Sequence, residues 1–285
     1  MNNSIFYDGL EKDGEVKLLE KTSESIVKEL SSVTDSTNFQ RGLILDTETT
    51  GLDSQKDKII EIGLREFYYD DDYNLVGLGK LYNGLQDPGF EIPTEITEIT
   101  GLTSDNLKGQ SIDWDIVNAF AESSNIILAH NAAFDFKFMK NCKTFTRNNI
   151  LWGCSLSQVP WGELGFINKS LQVLALLHGF YYKAHRALID VDAVALIISK
   201  SDYLKLIINA NIPSIRVKAK GADFDSKELL KAQGYKWDGT EKYWWRDEPA
   251  DKIEEIKSWL KKEVYIKGSF TRCQFEEIEI YERFL

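Results

Sequence analysis

The stretch "GLILDTETTGLD", Gly42 to Asp53, decides how the chain is read. It opens as an apolar run suited to a buried strand and ends in two acids, Asp46 and Glu48, with one threonine between them. Side chains alternate faces along a strand, so both carboxylates project to the same side. Two carboxylates that close repel, and one keeps its proton unless a cation intervenes. Charge at the end of a buried strand therefore calls for a cation, a salt bridge or exposure at the sheet rim. The pair alone does not choose among these.

Outward from this stretch, "KIIEIGLREFYY" and "LVGLGKLY" read as two more strands, which with "GLILD" form an antiparallel meander. "IPTEITEITGLTSDNL" follows, with Thr103 placed to cap a short helix. "DWDIVNAFAES" predicts a helix, "NIILA" a short buried strand, and "AAFDFKFMKNC", "LQVLALLHG" and "ALIDVDAVALIISK" predict helices. Strands first, then strands alternating with helices, imply an α/β fold with a mixed sheet flanked by helices. Residues 1–41 read as an N-terminal helical appendage and linker, with Val16, Leu19, Ile26, Val27 and Leu30 on one helical face. After "LKLIINANIPS" the character changes. "SIRVKAKG", "DSKELLKAQGY", "KYWWR" and "ADKIEEIKSWLKKEV" alternate strand and helix, giving a small α+β domain over 214–285 beside a main domain over 42–213.

The composition, 43% hydrophobic and 28% charged, is that of a globular chain. No basic region followed by an apolar stretch opens the sequence, and no apolar run is long enough to span a membrane. Three scattered cysteines, Cys142, Cys154 and Cys273, make neither a disulfide framework nor a metal-ligand spacing, so the expected setting is the cytoplasm. The net charge of −11 at first argues against a nucleic-acid partner. Residues 214–285, however, hold 15 Lys+Arg and 15 Asp+Glu, so the whole acidic excess lies in the first 213 residues. Part of it is available as a carboxylate cluster for cations.

Two further stretches bear on the opening pair. "AHNAAFDFKFM" puts Asp135 in the first turn of an amphipathic helix that follows a short buried strand. "HRALIDVDA" puts Asp190 in another helix, with His185 five residues earlier. Each acid singly has a bland explanation, because an acid in a first helical turn favours the helix dipole. The three stretches in this order are much harder to explain that way.

Together, "LDTETTG", "HNAAFDFKFM" and "HRALID" resemble the three exonuclease motifs of the DnaQ-like 3′–5′ exonucleases, across about residues 42–205. His185, five positions before Asp190, resembles the histidine class (DEDDh) of that family, whose tyrosine class carries Tyr four positions before. "EITGLTSDNL" is similar to a helix-turn segment of the family but has Thr100 where a histidine is usual before Gly101. The resemblance implies a ribonuclease H-like fold. It also implies two Mg²⁺ or Mn²⁺ ions held by Asp46, Glu48, Asp135 and Asp190, with His185 as general base. The implied reaction hydrolyses the terminal phosphodiester of a DNA 3′ end and releases nucleoside 5′-monophosphates. Thr49 and Thr50 would approach the terminal sugar, Leu52 would wedge against terminal bases, and Phe134 would stack on a base or pack in the core. His130 and Asn131 would position Asp135 or a phosphate, while Phe138 is assigned to the core and His178 to structure.

"GYKWDGTEKYWWRDEP" interleaves aromatic and basic residues, and four of the seven tryptophans lie after residue 213. Such patterns bind single-stranded nucleic acid, but a small domain also needs large side chains for a core. Trp237 and Trp259 are expected inside. Of the adjacent Trp244 and Trp245 one is expected outside, beside Lys242 and Arg246, where it would contact nucleic acid or a partner. Two rivals remain at this point: the same site acting on RNA, and a non-catalytic nucleic-acid-binding or docking protein.

Overall fold

The computed structural model describes residues 20–21, 30, 38–147 and 149–284. The chain divides into two compact units, one running to Ile207 with Phe284 added, the other from Ile208 to Arg283. Most of the expected N-terminal helix lies outside the described residues. Glu20–Lys21, expected within it, instead form a two-residue strand β1, whose backbone pairs in parallel with β7 at Phe180–Tyr181.

The first unit is built on β2 (Gln40–Thr49), β3 (Ile59–Tyr69) and β4 (Leu75–Leu85), the antiparallel meander the alternation predicts. Helices α1 (Thr94–Thr100), α2 (Ser104–Leu107) and α3 (Trp114–Glu122) follow. Thr103 caps α2 as expected, its hydroxyl accepting from the Asn106 N–H in a reciprocal capping box. The chain then lays β5 (Ile126–Ala129) parallel to β2, turns into α4 (Ala132–Asn141), and adds β6 (Leu151–Cys154) parallel to β5. The five-stranded order is β4-β3-β2-β5-β6, a mixed sheet flanked by helices and ribonuclease H-like. Helix α5 (Leu171–Leu177) and β7 (Phe180–Tyr181) lead to α6 (Ala187–Ile198), which is buried along most of its length.

All eleven residues of β3 are buried, including Glu61, Arg65 and Glu66. Each of these charges is paired. Arg65 donates two hydrogen bonds to Asp192 of α6 (2.9 and 2.7 Å), and Glu66 accepts from the Lys80 N–H (3.1 Å) and faces Arg41 (3.5 Å). Buried ionic groups survive only with such partners. Phe138 lies in the core as expected, and His178 is held between the Leu174 carbonyl (2.6 Å) and the Tyr203 hydroxyl (2.8 Å). No helix among the described residues is long and apolar enough to cross a membrane.

In chain order α7 (Leu206–Asn211) comes next, then β8 (Ser214–Ala219), α8 (Lys227–Ala232), β9 (Lys236–Asp238), β10 (Tyr243–Pro249), α9 (Ile253–Trp259) and β11 (Gln274–Ile278). The second unit is an antiparallel sheet of order β11-β8-β10-β9 around a small core that includes Val217, Leu230, Leu260 and Val264. Its tryptophans differ from expectation. Trp244 and Trp245 point to opposite faces but both are half-buried, Trp244 against the core and Trp245 beneath Arg216 and Lys236 at 4.7 and 5.2 Å. The exposed one is Trp237, 50% accessible, because β9 is a three-residue edge strand that gives it only Trp244 as a cross-strand neighbour.

Candidate active site

Asp46 and Glu48 stand across from Gly63 and Glu61 of β3. A Cβ on Gly63 would lie 2.5 Å from the backbone of Ala187 and Leu188, so the first turn of α6 rests directly on the strand at the one position lacking a side chain. That contact brings in Asp190. One carboxylate oxygen from each of Asp46, Glu48 and Asp190 lies within 4.8 Å of the others.

Asp190 is held from behind. Its Oδ2 accepts from the N–H groups of His185 (2.8 Å) and Arg186 (3.0 Å), donors that a helix start leaves unpaired, and its Oδ1 accepts from the Tyr182 hydroxyl (3.1 Å). To present its N–H this way His185 takes a left-handed backbone conformation (φ 68°). His185 itself is exposed. Burial raises the Asp190 carboxyl, and the hydrogen bonds from Arg186 and Tyr182, with the neighbouring His185, work against it.

Asp135 reaches the site from the other side of β2. The parallel pairing of β2 with β5 stops at Ile44 and Leu128, because the chain turns at Asn131 (φ 73°) into α4. The Asp135 carboxylate takes the strand's place: its Oδ1 accepts from both the N–H (3.0 Å) and the hydroxyl (2.8 Å) of Thr47. Asp135 is thus anchored between Asp46 and Glu48 in sequence, while remaining outside the three-carboxylate cluster. Its charge still raises the pKa of both Asp46 and Glu48.

All four acids are pushed above the usual carboxylate range, with burial as the main cause. Asp46 is raised well up by burial, then by Asp135, Asp190 and Glu48; Glu48 reaches about 8 through burial, then Asp190 and Glu61. Asp135 reaches about 7 despite the hydrogen bonds from Thr47 that hold it down. Among the described residues, no lysine or arginine forms an ion pair with Asp46, Glu48 or Asp190. Converging carboxylates without a protein cation form a hard oxygen donor set that fits a divalent cation.

Sequence reading missed the pair behind the cluster. Glu61, 1% exposed and across from Glu48, receives two bonds from the Arg186 guanidinium (both 2.9 Å), one from Asn83 (3.0 Å) and one from the Ala187 N–H (3.2 Å). A lone glutamate in the apolar run "KIIEIG" was the available signal, since a buried charge must have a partner. The partner lies 125 residues away, and Tyr182 carries no local signal.

The other expected residues divide. Thr49 and Thr50 are buried, their hydroxyls donating to the Gly51 carbonyl (2.6 Å) and to Asp57 (3.1 Å), so they shape the loop after β2. Leu52 stands 87% exposed on that loop. His130 does not bond to Asp135: its Nε2 donates to the Lys169 carbonyl (3.0 Å), which leaves Nδ1 to accept from the Ser155 hydroxyl (2.8 Å). Burial lowers His130 to about 4, in keeping with a neutral ring. Asn131 is exposed at the start of α4, and Phe134 is half-buried against Phe138 at 4.9 Å between ring centroids.

Comparison with known proteins bears on the same residues. The profile of the RNase T exonuclease family matches residues 43–198, a span that takes in all four acids and His185. The chain is 32% identical over 150 residues to the DNA polymerase III subunit epsilon of Treponema pallidum, covering 50% of this chain and 67% of that one. It is also 32% identical over 166 residues to the PolC-type DNA polymerase III of Clostridium perfringens, 56% of this chain but 11% of that polymerase. A solved structure, exonuclease X in complex with 5′ overhanging duplex DNA, overlays 59% of this chain and 92% of its own at 20% identity and a TM-score of 0.42. With its acids set on β2, α4 and α6 and its family span reaching from β2 to the end of α6, the chain belongs to the RNase T family of exonucleases, the DnaQ-like 3′–5′ exonucleases.

Proposed function

We propose that this protein is a 3′–5′ exonuclease of the histidine class that trims single-stranded or frayed DNA 3′ ends, using two divalent cations, Mg²⁺ or Mn²⁺. The observation that carries the reading is the convergence of Asp46, Glu48 and Asp190 oxygens within 4.8 Å, with no basic partner of their own among the described residues. Asp46, Glu48 and Asp190 would hold the cations, and Asp135 would join them from its anchor on Thr47. Bound cations would supply charge for the scissile phosphate and favour ionisation of a water.

The protein's own groups account for the remaining steps. His185, exposed and tied through its backbone to Asp190, takes the proton from the attacking water. The water oxygen bonds to phosphorus, the P–O3′ bond breaks, the O3′ left on the shortened strand takes a proton from solvent to become its new 3′-hydroxyl, and the terminal nucleoside departs as its 5′-monophosphate. Leu52 offers an exposed apolar surface for the terminal base, on a loop held by Thr49, Thr50 and Asp57.

The test uses 5′-labelled DNA and RNA oligonucleotides of one sequence, incubated with Mg²⁺ or Mn²⁺, with EDTA, and with Glu48→Ala. The DNA should shorten from its 3′ end only with metal and only with Glu48 intact. Faster trimming of the RNA would move the substrate to RNA with the site unchanged. If neither strand is shortened under any metal, the enzymatic reading fails.

A further inference from the structure

The second unit contains an open cavity of about 450 Å³ that the nuclease chemistry does not use. Small residues make it: Ala219 of β8 stands opposite Trp244, leaving space on the face where Trp244 and its other cross-strand neighbour Trp237 both point. The two indoles meet at 5.3 Å and 54°, and Trp237 keeps half its surface in solvent. Phe224, 87% exposed, stands at the same cavity. Lys227, Lys231 and Lys242 also line it. Among the described residues neither Lys227 nor Lys242 has an ion-pair partner, and Lys231 has only an exposed one, Glu228 at 3.3 Å. The acid at the cavity, Asp223, spends one oxygen on the Lys267 N–H (2.8 Å).

We infer that this cavity is a second binding site, for a segment of single-stranded DNA, with bases stacked on Trp237 and Phe224 and phosphates met by Lys227 and Lys242. The charge decides between occupants. Three lysines around exposed aromatic faces complement a polyanion that carries flat rings, and they favour neither an apolar ligand nor a basic peptide. Duplex DNA keeps its bases stacked inside, so the aromatic faces would have nothing to take. A volume of this size suits a ring system held on one side and open on the other. The choice of DNA as the polymer rests on the proposed function.

Fluorescence anisotropy of a labelled oligothymidylate of about 20 nucleotides, with the full chain in EDTA so that nothing is cut, tests the site. Trp237→Ala and, separately, Phe224→Ala should each weaken binding about five- to a hundredfold, the span of one lost base stack. Lys227→Gln with Lys242→Gln should flatten the log–log salt dependence by about 1.4, two phosphate contacts to a single strand. Hydrolysis of the p-nitrophenyl ester of thymidine 5′-monophosphate, which carries a single base and a single phosphate rather than a strand, should proceed at the unaltered rate in all three variants. Affinities within twofold of the parent in both aromatic variants would overturn the site, as would equal competition by duplex DNA. Loss of the small ester's hydrolysis in the parent itself would instead count against the proposed function and leave the binding result standing.

Discussion

Removing the charge of Glu48 should stabilise the metal-free protein, and by an amount that grows with pH. A carboxyl whose folded value lies above its unfolded one holds its proton more tightly when folded. The stability this brings is complete below the unfolded value of 4.5 and is lost as pH rises through about 8, where Glu48 titrates in the fold. Each pH unit in that window is worth about 1.4 kcal/mol, which bounds the loss at about 5 kcal/mol by pH 8. Glu48 is not fully enclosed, so solvent screens part of the repulsion. About 2–4 kcal/mol is therefore the expected difference. Glu48→Gln keeps the shape and removes the titration, so in EDTA it should match the parent near pH 5 and exceed it at pH 8. With a urea dependence of ~2 kcal/mol/M this is a midpoint shift of about 1–2 M. Saturating Mg²⁺ should reverse the order, since the parent then gains binding energy that the amide variant gives up. A Glu48→Gln advantage that is flat with pH, or that survives in Mg²⁺, would refute the electrostatic account of the cluster.

Three other substitutions test the supports of the site. Arg186→Ala strands the buried Glu61 carboxylate and should cost about 3–5 kcal/mol in urea unfolding, with a fall in kcat and Arg186→Lys recovering only part, because a lysine cannot make both bonds. Thr47→Val removes one of the two hydrogen bonds that restrain Asp135, so the acidic limb of the pH–rate profile should move to higher pH, with about 1.5–3 kcal/mol of stability lost. Gly63→Ala forces a methyl group against the backbone of Ala187 and Leu188; it should cost about 1–3 kcal/mol and weaken Mn²⁺ binding measured by calorimetry, by moving Asp190 off Asp46.

What could be read from the sequence was what short-range pattern determines. The meander of β2, β3 and β4 follows from apolar alternation, and the shared face of Asp46 and Glu48 from the pleat alone. Asp135 and Asp190 fall in first helical turns as their motifs imply. β6 is four residues interrupted by Gly153, and two of the five residues of β11 are charged, so neither strand was read. Side-chain direction beyond the backbone was also out of reach. Thr49 and Thr50 turn inward to hold a loop, His130 is taken by Ser155 and Lys169, and Trp237 is left outside by the shortness of β9. For His130 the deciding partners lie 25 and 39 residues away.

The placement of Arg186 explains how the cluster stays without a protein cation of its own. Arg186 directly follows His185 and lies within reach of Glu48, whose carboxyl it helps to lower. A guanidinium lodged among Asp46, Glu48 and Asp190 would neutralise them and leave no role for a metal. Glu61 prevents this. Placed across from Glu48 on the neighbouring strand, it holds both arms of the guanidinium and also takes the Ala187 N–H at the start of α6. The same glutamate therefore sequesters the nearest fixed cation and fastens the helix that carries Asp190. A like charge facing Glu48 costs stability in isolation. On the proposed function, its position keeps three neighbouring carboxylates free for exchangeable cations.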